Sequence, residues 1–360
     1  MMLKPVIVAG MVAMVVMTAT ACGETPRGDG QSAAPADTAT PVAADATRSS
    51  GEGKTRYPLV FDNCGKQYTF AKAPSRVVVM NGGSVAEVSS LLELGLGDRI
   101  TVNAQSYGAS DVAGRAEAIK VLPNGGIKLN EMQDIPRETM LSLRPDFVIS
   151  TYDGGFAAKS GYATRDDLGK IGANTYAPAS ACGESGMVTG SPTVDSSYQM
   201  LRDFGQIFDV PGRAEQIIAA SEQRIKDVTA KVAGKPAKNV MIVFPGMGAD
   251  DFSSIAAAGI WNDVLGKAGV VNPFAADAKG APFVTVGKDK LATASIDALI
   301  VVNYMNPDPE GSAKKILAQF PQWEATKSNR FLILSDSIYF GPSNDVAVDK
   351  IARMVHPDAF

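Results

Sequence analysis

The segment Arg76–Leu94, RVVVMNGGSVAEVSSLLEL, holds a strand pattern, a loop and a helix pattern in direct succession. Its β-branched run, Arg76–Met80, predicts a buried strand. Asn81, two glycines and Ser84 close that strand, and Val85–Leu94 then places apolar residues at helical spacing. A strand that leads through a short loop into a helix is half of a strand–helix–strand unit, so the segment predicts α/β architecture with parallel strands.

The same pattern recurs along the chain in two series. Phe147–Ser150 is a further strand pattern in the first series, and a loop that contains Tyr152 follows it. The second series consists of Asn239–Phe244, Ala298–Val302 and Phe331–Leu334. In open α/β sheets, ligands bind beyond the carboxyl ends of the parallel strands. We therefore expect a binding site in the loops that follow these strands.

A long amphipathic segment separates the two series. Within Arg213–Ala233, Ile217, Ile225 and Val228 recur on one helical face, and Gly234 ends the pattern. The segment predicts a single helix of about six turns. The expected fold is two three-layer α/β lobes, residues 55–209 and 235–360, joined by one long helix in residues 210–234. Because one helix is a stiff connector, we expect little lobe closure on binding.

Residues 1–54 differ in composition from the rest of the chain. The apolar stretch Val6–Met17 is shorter than the about 20 residues that a membrane-spanning helix needs. It runs into small residues before Cys22, which predicts a signal peptide in residues 1–21 and resembles a bacterial lipobox with Cys22 as the acylated residue. The alternative is a plain signal peptide with an incidental cysteine. Residues 22–54 are small and polar, which indicates a flexible tether.

The two remaining cysteines, Cys64 and Cys182, form an even pair in a protein that we expect outside the cytoplasm. Such pairs are usually oxidised there, so we expect a disulfide. Two unrelated buried thiols are the alternative. A zinc site is poorly supported, because two cysteines with no nearby histidine cannot supply four ligands.

The composition excludes several classes of function. The chain has one histidine, His356, which we expect at the surface in a terminal helix cap. A Ser-His-Asp hydrolase would have to use it, so catalysis is disfavoured and no catalytic residue is assigned. The scarcity of histidine also argues against direct capture of a metal ion. The net charge of −4, without any basic run, gives no support for nucleic acid binding.

Large amphipathic side chains follow the predicted strands in both series. Aromatic rings and methionine suit a bulky, partly apolar ligand such as a chelate or macrocycle. Tyr152, Tyr304 and Tyr339 are the strongest candidates because each comes directly after a strand. The full candidate set is Asn81, Ser84, Tyr107, Tyr152, Phe156, Met247, Trp261, Phe283, Tyr304 and Tyr339.

Several local patterns stand in the order of a known family. They include Leu94–Ile100 (LGLGDRI), Glu138–Ser150 (ETMLSLRPDFVIS), Arg202–Phe208 (RDFGQIF) and the ending Gly341–Phe360. With these, the chain resembles the periplasmic-binding proteins of ABC importers for iron-siderophores, haem and vitamin B12, and its lipobox and cysteines look like those of actinobacterial members. The resemblance implies the class III periplasmic-binding fold.

The resemblance also implies a function. It predicts a monomeric, lipid-anchored protein on the outer face of the cell membrane, with no enzymatic activity and no intrinsic cofactor. The protein would capture a ferric siderophore, haem or a corrinoid between its lobes and deliver it to an ABC permease and its ATPase. The mild charge and the shortage of arginine at the strand ends favour a neutral or weakly charged ligand over an anionic catecholate.

Members of the family dock to the permease through one surface carboxylate on each lobe. The first-lobe position matches Glu138, just before a predicted helix Thr139–Leu143. The second falls on Asp289, where the family residue is commonly glutamate, and two lysines flank the shorter side chain. This departure leaves an alternative open: an envelope lipoprotein of the same fold that has lost its permease and binds cell-wall or protein partners. An enzyme of unknown type is a third alternative.

Overall fold

The computed structural model describes residues 55–83, 85–106, 109–129, 134–183, 192–247, 252, 254–279, 281–304 and 306–360. The predicted signal peptide, the tether with Cys22, and the candidates Ser84 and Tyr107 lie outside these residues. Within the described ranges, no helix combines the length and the apolar character needed to cross a bilayer.

The first lobe contains an antiparallel hairpin and a four-stranded parallel sheet. Its strands are β1 (Leu59–Asn63), β2 (Lys66–Phe70), β3 (Val77–Val79), β4 (Ile100–Asn103), β5 (Phe147–Ile149) and β6 (Asn174–Tyr176). The sheet order is β4-β3-β5-β6, and all of its pairs are parallel. Both β3 and β5 are buried on both faces, which explains their uninterrupted apolar sequences. The helices are α1 (Val85–Glu93), α2 (Arg115–Lys120), α3 (Arg137–Ser142), α4 (Arg165–Lys170) and α5 (Val194–Ile207).

A disulfide between Cys64 and Cys182 confirms the predicted pairing. Cys64 lies in the turn of the β1–β2 hairpin, and Cys182 follows β6. Beside the disulfide, the Asn63 side chain accepts a hydrogen bond from the Ala177 backbone N–H (2.9 Å) and donates one to the Ala177 carbonyl oxygen (2.8 Å). The hairpin is therefore attached to the sheet covalently and by side-chain hydrogen bonds.

The predicted connecting helix is α6 (Pro211–Val232). It begins with a proline, whose fixed φ and missing N–H suit the first turn of a helix. Its buried face, which includes Ile217, Ile225 and Val228, packs against α5. The buried residues of α6 belong to one apolar core that also includes Phe147 from the first sheet and Ile300 from the second. Both lobes are thus built onto the helix through continuous packing.

The second lobe has a six-stranded mixed sheet. Its strands are β7 (Lys238–Val243), β8 (Ile255–Ala256), β9 (Val270–Val271), β10 (Phe283–Val284), β11 (Ala298–Val302) and β12 (Phe331–Leu334). The order is β10-β8-β7-β11-β12, with β9 paired to β7. Its helices are α7 (Ile260–Lys267), α8 (Lys288–Thr293), α9 (Pro309–Ala318), α10 (Glu324–Lys327) and α11 (Asn344–Val355).

The expectation of parallel strands is correct for β7, β11 and β12, whereas β8 and β10 pair in antiparallel fashion. For β7 and β8 the reason is geometric, because the 11 residues between them fall short of the dozen or more that a parallel crossover usually needs. A second correction concerns His356, which is buried at the end of α11, with Nε2 3.2 Å from the carbonyl oxygen of Gly269.

Candidate functional site

Four of the predicted aromatic residues meet around Phe244, a residue that sequence reasoning assigned only to the end of a strand. The Phe244 ring centroid lies 5.4 Å from that of Trp261, 5.0 Å from Phe283, 6.5 Å from Tyr304 and 6.0 Å from Tyr339. Trp261 and Phe283 are 4.9 Å apart, and Tyr304 and Tyr339 are 6.3 Å apart. We call these five residues the aromatic cluster.

Strand geometry explains why the aromatic cluster forms. Phe244 directly follows β7, Tyr304 follows β11, and Tyr339 follows β12 after one 3-10 turn. These three neighbouring strands are parallel, so their carboxyl ends bring the three rings to one edge of the sheet. The other two members were expected in loops that follow strands, and this expectation is wrong, because Trp261 lies on α7 and Phe283 begins β10.

The aromatic cluster is only partly covered. Phe283, Tyr304, Tyr339 and the nearby Met247 are half-buried and pack against the main core. Trp261 is 8% exposed, and its indole N–H finds no hydrogen-bond acceptor in the part of the chain that the structure describes. The cluster therefore offers ring faces from several elements on one apolar surface, which is the composition of a site for a large, partly apolar ligand.

The first lobe contributes a polar network at the carboxyl ends of its strands. The Asn81 amide donates to Asp134 Oδ1 (2.6 Å), and its oxygen accepts from Ser150 Oγ (2.9 Å) and from the Thr151 N–H (2.8 Å). The Tyr152 hydroxyl donates to Asp134 Oδ2 (2.8 Å). Asn81 and Asp134 are buried, so the network holds the strand-end loops in place.

This network changes the roles expected for the first-lobe candidates. Both the nitrogen and the oxygen of the Asn81 amide already form hydrogen bonds within the network, and the Tyr152 hydroxyl donates to Asp134. Burial and the Asp134 carboxylate raise the pKa of Tyr152 above its ordinary value, so the phenol stays neutral. Phe156 is buried in the first-lobe core beneath the Arg165 guanidinium, whose carbon lies 4.4 Å from the ring centroid. We assign Phe156 to packing.

A buried carboxylate lies beside the same strand ends. Glu87, in the first turn of α1, is 1% exposed, and Thr151 Oγ1 lies 3.5 Å from its Oε2. Burial raises the pKa of Glu87 to about 7, and hydrogen bonds to the charged form oppose this only in part. Sequence reasoning missed Glu87 as a member of this region, because a glutamate in a first helical turn is usually a solvated residue.

The strand-end regions of the two lobes meet at α1. Gly341, past the end of β12, has a φ of 141°, and a Cβ there would lie 3.4 Å from Ala86 Cα on α1. The loop between β12 and α11 thus runs along the helix that follows β3. The Tyr339 loop of the aromatic cluster and the polar network that follows β3 therefore border one junction between the lobes.

The predicted docking carboxylates lie on equivalent short helices. Glu138 is in the first turn of α3, which begins at Arg137 rather than after Glu138, and α3 leads into the central strand β5. Asp289 is in the first turn of α8, which leads into the interior strand β11. Both side chains are exposed.

The basic neighbours of these carboxylates are paired elsewhere. Arg137 Nε donates to Asp167 Oδ2 at 3.0 Å, and Lys290 Nζ contacts both carboxylate oxygens of Asp277 at 2.6 Å. Lys290 is therefore turned away from Asp289, and one of the two flanking lysines no longer compensates its charge.

One cavity of about 230 Å³ lies away from the predicted site, between α6 and the start of α11. It is lined by Arg115, Arg213 and Arg224 together with Glu93 and Asp345. Arg115 pairs with Glu93, and Arg224 pairs with Asp345, so the cavity carries little net charge. No group of three or more His, Cys, Asp or Glu side chains in the described ranges is arranged to hold a metal ion.

Two α/β lobes joined by one long helix are the class III periplasmic-binding fold, which confirms the predicted fold class. The family model described as periplasmic binding protein matches residues 78–337, and the chain belongs to this family. Its members are extracytoplasmic substrate-binding proteins of transport systems and not enzymes.

Several solved structures have the same fold. A periplasmic binding protein from Veillonella parvula is 19% identical over 83% of this chain and 97% of its own, with a TM-score of 0.65. A protein of an ABC-type Fe3+-hydroxamate transport system from Saccharomonospora viridis is 21% identical over 84% and 100%, with a TM-score of 0.64. A periplasmic haem-binding protein from Pseudomonas aeruginosa is 19% identical over 80% and 94%, with a TM-score of 0.59.

Proposed function

We propose that this protein captures a ferric hydroxamate-type chelate at the junction of its lobes and delivers it to an ABC permease. The observation that carries the proposal is the aromatic cluster, in which Phe283, Tyr304 and Tyr339 are half-buried around Phe244 at the sheet edge. Rings of this kind bind the organic shell of a chelate, which is bulky and largely apolar. The iron is cargo and arrives already chelated.

The charges near the proposed site support a neutral or cationic chelate. The buried Asp134 carboxylate lies at the strand ends of the first lobe, and the buried Glu87 at the same strand ends becomes negatively charged as the pH rises through its pKa of about 7. A catecholate complex or the propionates of haem would bring further negative charge beside these carboxylates, which disfavours their binding. A ferric trihydroxamate such as ferrioxamine B carries no such charge.

The ring contacts give the first prediction. Replacing Tyr304 or Tyr339 by alanine is expected to weaken the binding of ferrioxamine B by about 1 to 3 kcal/mol, roughly 5- to 150-fold, because each change removes a half-buried ring from the apolar surface. The measurement is a spectroscopic titration, with haemin and cyanocobalamin as parallel probes.

The matched control is Tyr57→Ala, which removes a half-buried tyrosine that donates to the Ile207 carbonyl oxygen far along the chain. It is expected to bind the chelate as the parent does. If the Tyr304 and Tyr339 variants, shown to be folded, bind every probe with parental affinity, the aromatic cluster is not the ligand site. If haemin or cyanocobalamin binds better than ferrioxamine B, the ligand is not a ferric hydroxamate-type chelate.

The exposed carboxylates give the second prediction. Glu138→Gln and Asp289→Asn are each expected to leave chelate affinity unchanged and to slow delivery to the importer about five-fold at low salt. An exposed charge pair contributes roughly 1 kcal/mol, mainly to association rate and orientation. The measurement is uptake of iron from ferrioxamine B by cells that produce this protein or its variants, at two ionic strengths.

Glu310→Gln is the control for docking, because it removes an exposed glutamate paired with Lys314 on α9. It should not alter uptake. Parental uptake by both docking variants would favour the alternative function, an envelope protein of this fold that works without a permease. The pairing of Lys290 with Asp277 weakens the argument for that alternative, since Asp289 keeps a usable charge.

We also propose that Cys22 anchors the protein to the membrane as an acylated residue. The short apolar stretch and the small residues before Cys22 support this. Cys22→Ala is expected to release the protein from the membrane fraction or to leave it unprocessed. The measurement is membrane fractionation with intact-mass analysis of the mature protein. Unchanged membrane retention together with an unchanged mass would exclude acylation.

A further inference from the structure

The loop that carries Tyr339 is held mainly by the other lobe. This loop, residues 335–341, connects β12 to α11 in the second lobe. Two carboxylates reach across the junction here. Asp111 of the first lobe accepts hydrogen bonds from the second lobe, and Asp336 of the second lobe accepts hydrogen bonds from the first. We call this pair the carboxylate clasp.

Asp336 reaches into the first lobe. Its Oδ2 accepts hydrogen bonds from Ser89 Oγ (3.1 Å) and Ser110 Oγ (2.8 Å), and Arg115 Nη1 lies 3.5 Å away. Its Oδ1 accepts from the Asp111 backbone N–H (2.8 Å). Asp336 is 3% exposed, so these first-lobe donors replace the water that a carboxylate would otherwise bind.

Asp111 reaches in the opposite direction. Its Oδ2 accepts from the Ser335 N–H (2.6 Å), the Ser337 N–H (3.3 Å) and Ser337 Oγ (2.6 Å), all in the loop 335–341. Its Oδ1 accepts from Lys350 Nζ (3.0 Å) on α11. The Asp111 side chain is only 6% exposed. Each lobe therefore supplies the donors for a carboxylate of the other.

The carboxylate clasp fixes the backbone on one side of Tyr339. On the other side, Gly341 N–H donates to Ser197 Oγ on α5 of the first lobe (3.1 Å). Within the second lobe, Asn344 Nδ2 donates to the carbonyl oxygens of Ser337 (2.9 Å) and Tyr339 (2.6 Å). The backbone that presents the Tyr339 ring to the aromatic cluster is thus held from both lobes.

We propose that Asp111 is a positioning residue for the ligand site: through the carboxylate clasp, the first lobe holds the Tyr339 loop in its binding geometry before any ligand arrives. A buried carboxylate that lost these donors, or donors that lost their acceptor, would be left unsatisfied, so the loop has one favoured position. A preformed wall spares the ligand the cost of ordering it. The affinity part of this proposal rests on the proposed function, whereas the loop geometry does not.

Hydrogen exchange tests the loop geometry without any ligand. In the parent, the amides of residues 335–341 are expected to exchange slowly. Asp111→Ala is expected to speed their exchange at least ten-fold, and Asp111→Asn by less, because its amide oxygen can still accept from the loop. Asp349→Asn, which removes a carboxylate paired with Arg353 on the outer face of α11, should change nothing there. Parental exchange of 335–341 in Asp111→Ala would overturn the proposal.

A double-mutant cycle tests the positioning role, with ferrioxamine B as the probe. Asp111→Ala is expected to weaken binding about ten-fold in the parent but much less in Tyr339→Ala, because the ring that it positions is already gone. In Tyr152→Ala, which changes a first-lobe loop, the ten-fold loss should persist. Equal losses in both backgrounds would overturn the role assigned to Asp111. If the parent does not bind the probe, the proposed ligand class fails, and hydrogen exchange still decides whether the carboxylate clasp holds the loop.

Discussion

Replacing Cys64 and Cys182 together by serine is expected to lower the free energy of unfolding by about 5 kcal/mol. The disulfide joins residues 118 positions apart, so its loss releases a long loop in the unfolded chain and raises the entropy of that state. The measurement is equilibrium unfolding in denaturant under oxidising conditions.

Two comparisons make this result specific. Cys64→Ser alone should lose the same free energy as the double variant, since either change breaks the crosslink. Under reducing conditions, the parent should converge on both variants. The folded state should keep its local geometry, because the hydrogen bonds between Asn63 and Ala177 do not depend on the crosslink. A double variant within about 1 kcal/mol of the oxidised parent would contradict the entropic role.

The second large effect concerns Glu87 and pH. Burial raises the pKa of this carboxyl from 4.5 to about 7 in the folded protein. Between these values the Glu87 carboxyl binds more protons in the folded state than in the unfolded state, so its contribution to stability is fully present below pH 4.5 and is lost as the pH rises through this window. Once the pH exceeds the folded pKa the loss is complete, and at 1.36 kcal/mol per pKa unit it amounts to about 3 kcal/mol.

Glu87→Gln tests how much stability is lost when Glu87 ionises in the folded protein. The amide has the shape of the protonated acid and does not ionise, so the variant is expected to match the parent near pH 4.5 and to exceed its free energy of unfolding by about 3 kcal/mol at pH 8. Glu117→Gln, an exposed glutamate on α2, serves as the control and should show no such divergence. A parent and Glu87→Gln variant with parallel pH profiles would show that Glu87 ionises normally.

Much of the fold was predictable because its signals are local. The apolar runs of β11 and β12 match their predicted bounds, and α6 differs from its predicted range by only a few residues. Each of these elements is specified by side chains that are close in sequence, through β-branched runs or helical spacing. The two-residue strands β8, β9 and β10 carry too little pattern to be recognised, and only their neighbours in the sheet define them.

The candidate site was predictable in part. Tyr304 follows its strand as predicted, whereas Tyr339 lies one 3-10 turn beyond β12 rather than directly after it. Both still lie near the carboxyl ends of parallel strands, where ligands bind in open α/β sheets. Phe244 was missed as the centre of the aromatic cluster, although it is the last residue of an apolar run that ends at the same sheet edge. Phe156, in a loop of similar composition, is instead covered by Arg165 from a later helix, which no local pattern reveals.

The sequence alone was enough to predict the two α/β lobes and the connecting helix, because strand and helix periodicity and helix-ending residues are local signals. It was also enough to predict the pairing of Cys64 with Cys182, because only these two cysteines remain once Cys22 is assigned to the lipobox. Tertiary structure alone decided the partners of Asp111 and Asp336, which lie 225 residues apart in the chain. It also decided the burial of Glu87 and the pairing of Lys290 with Asp277. A charged side chain in a sequence is solvated by default, and only the fold determines which donors replace its water.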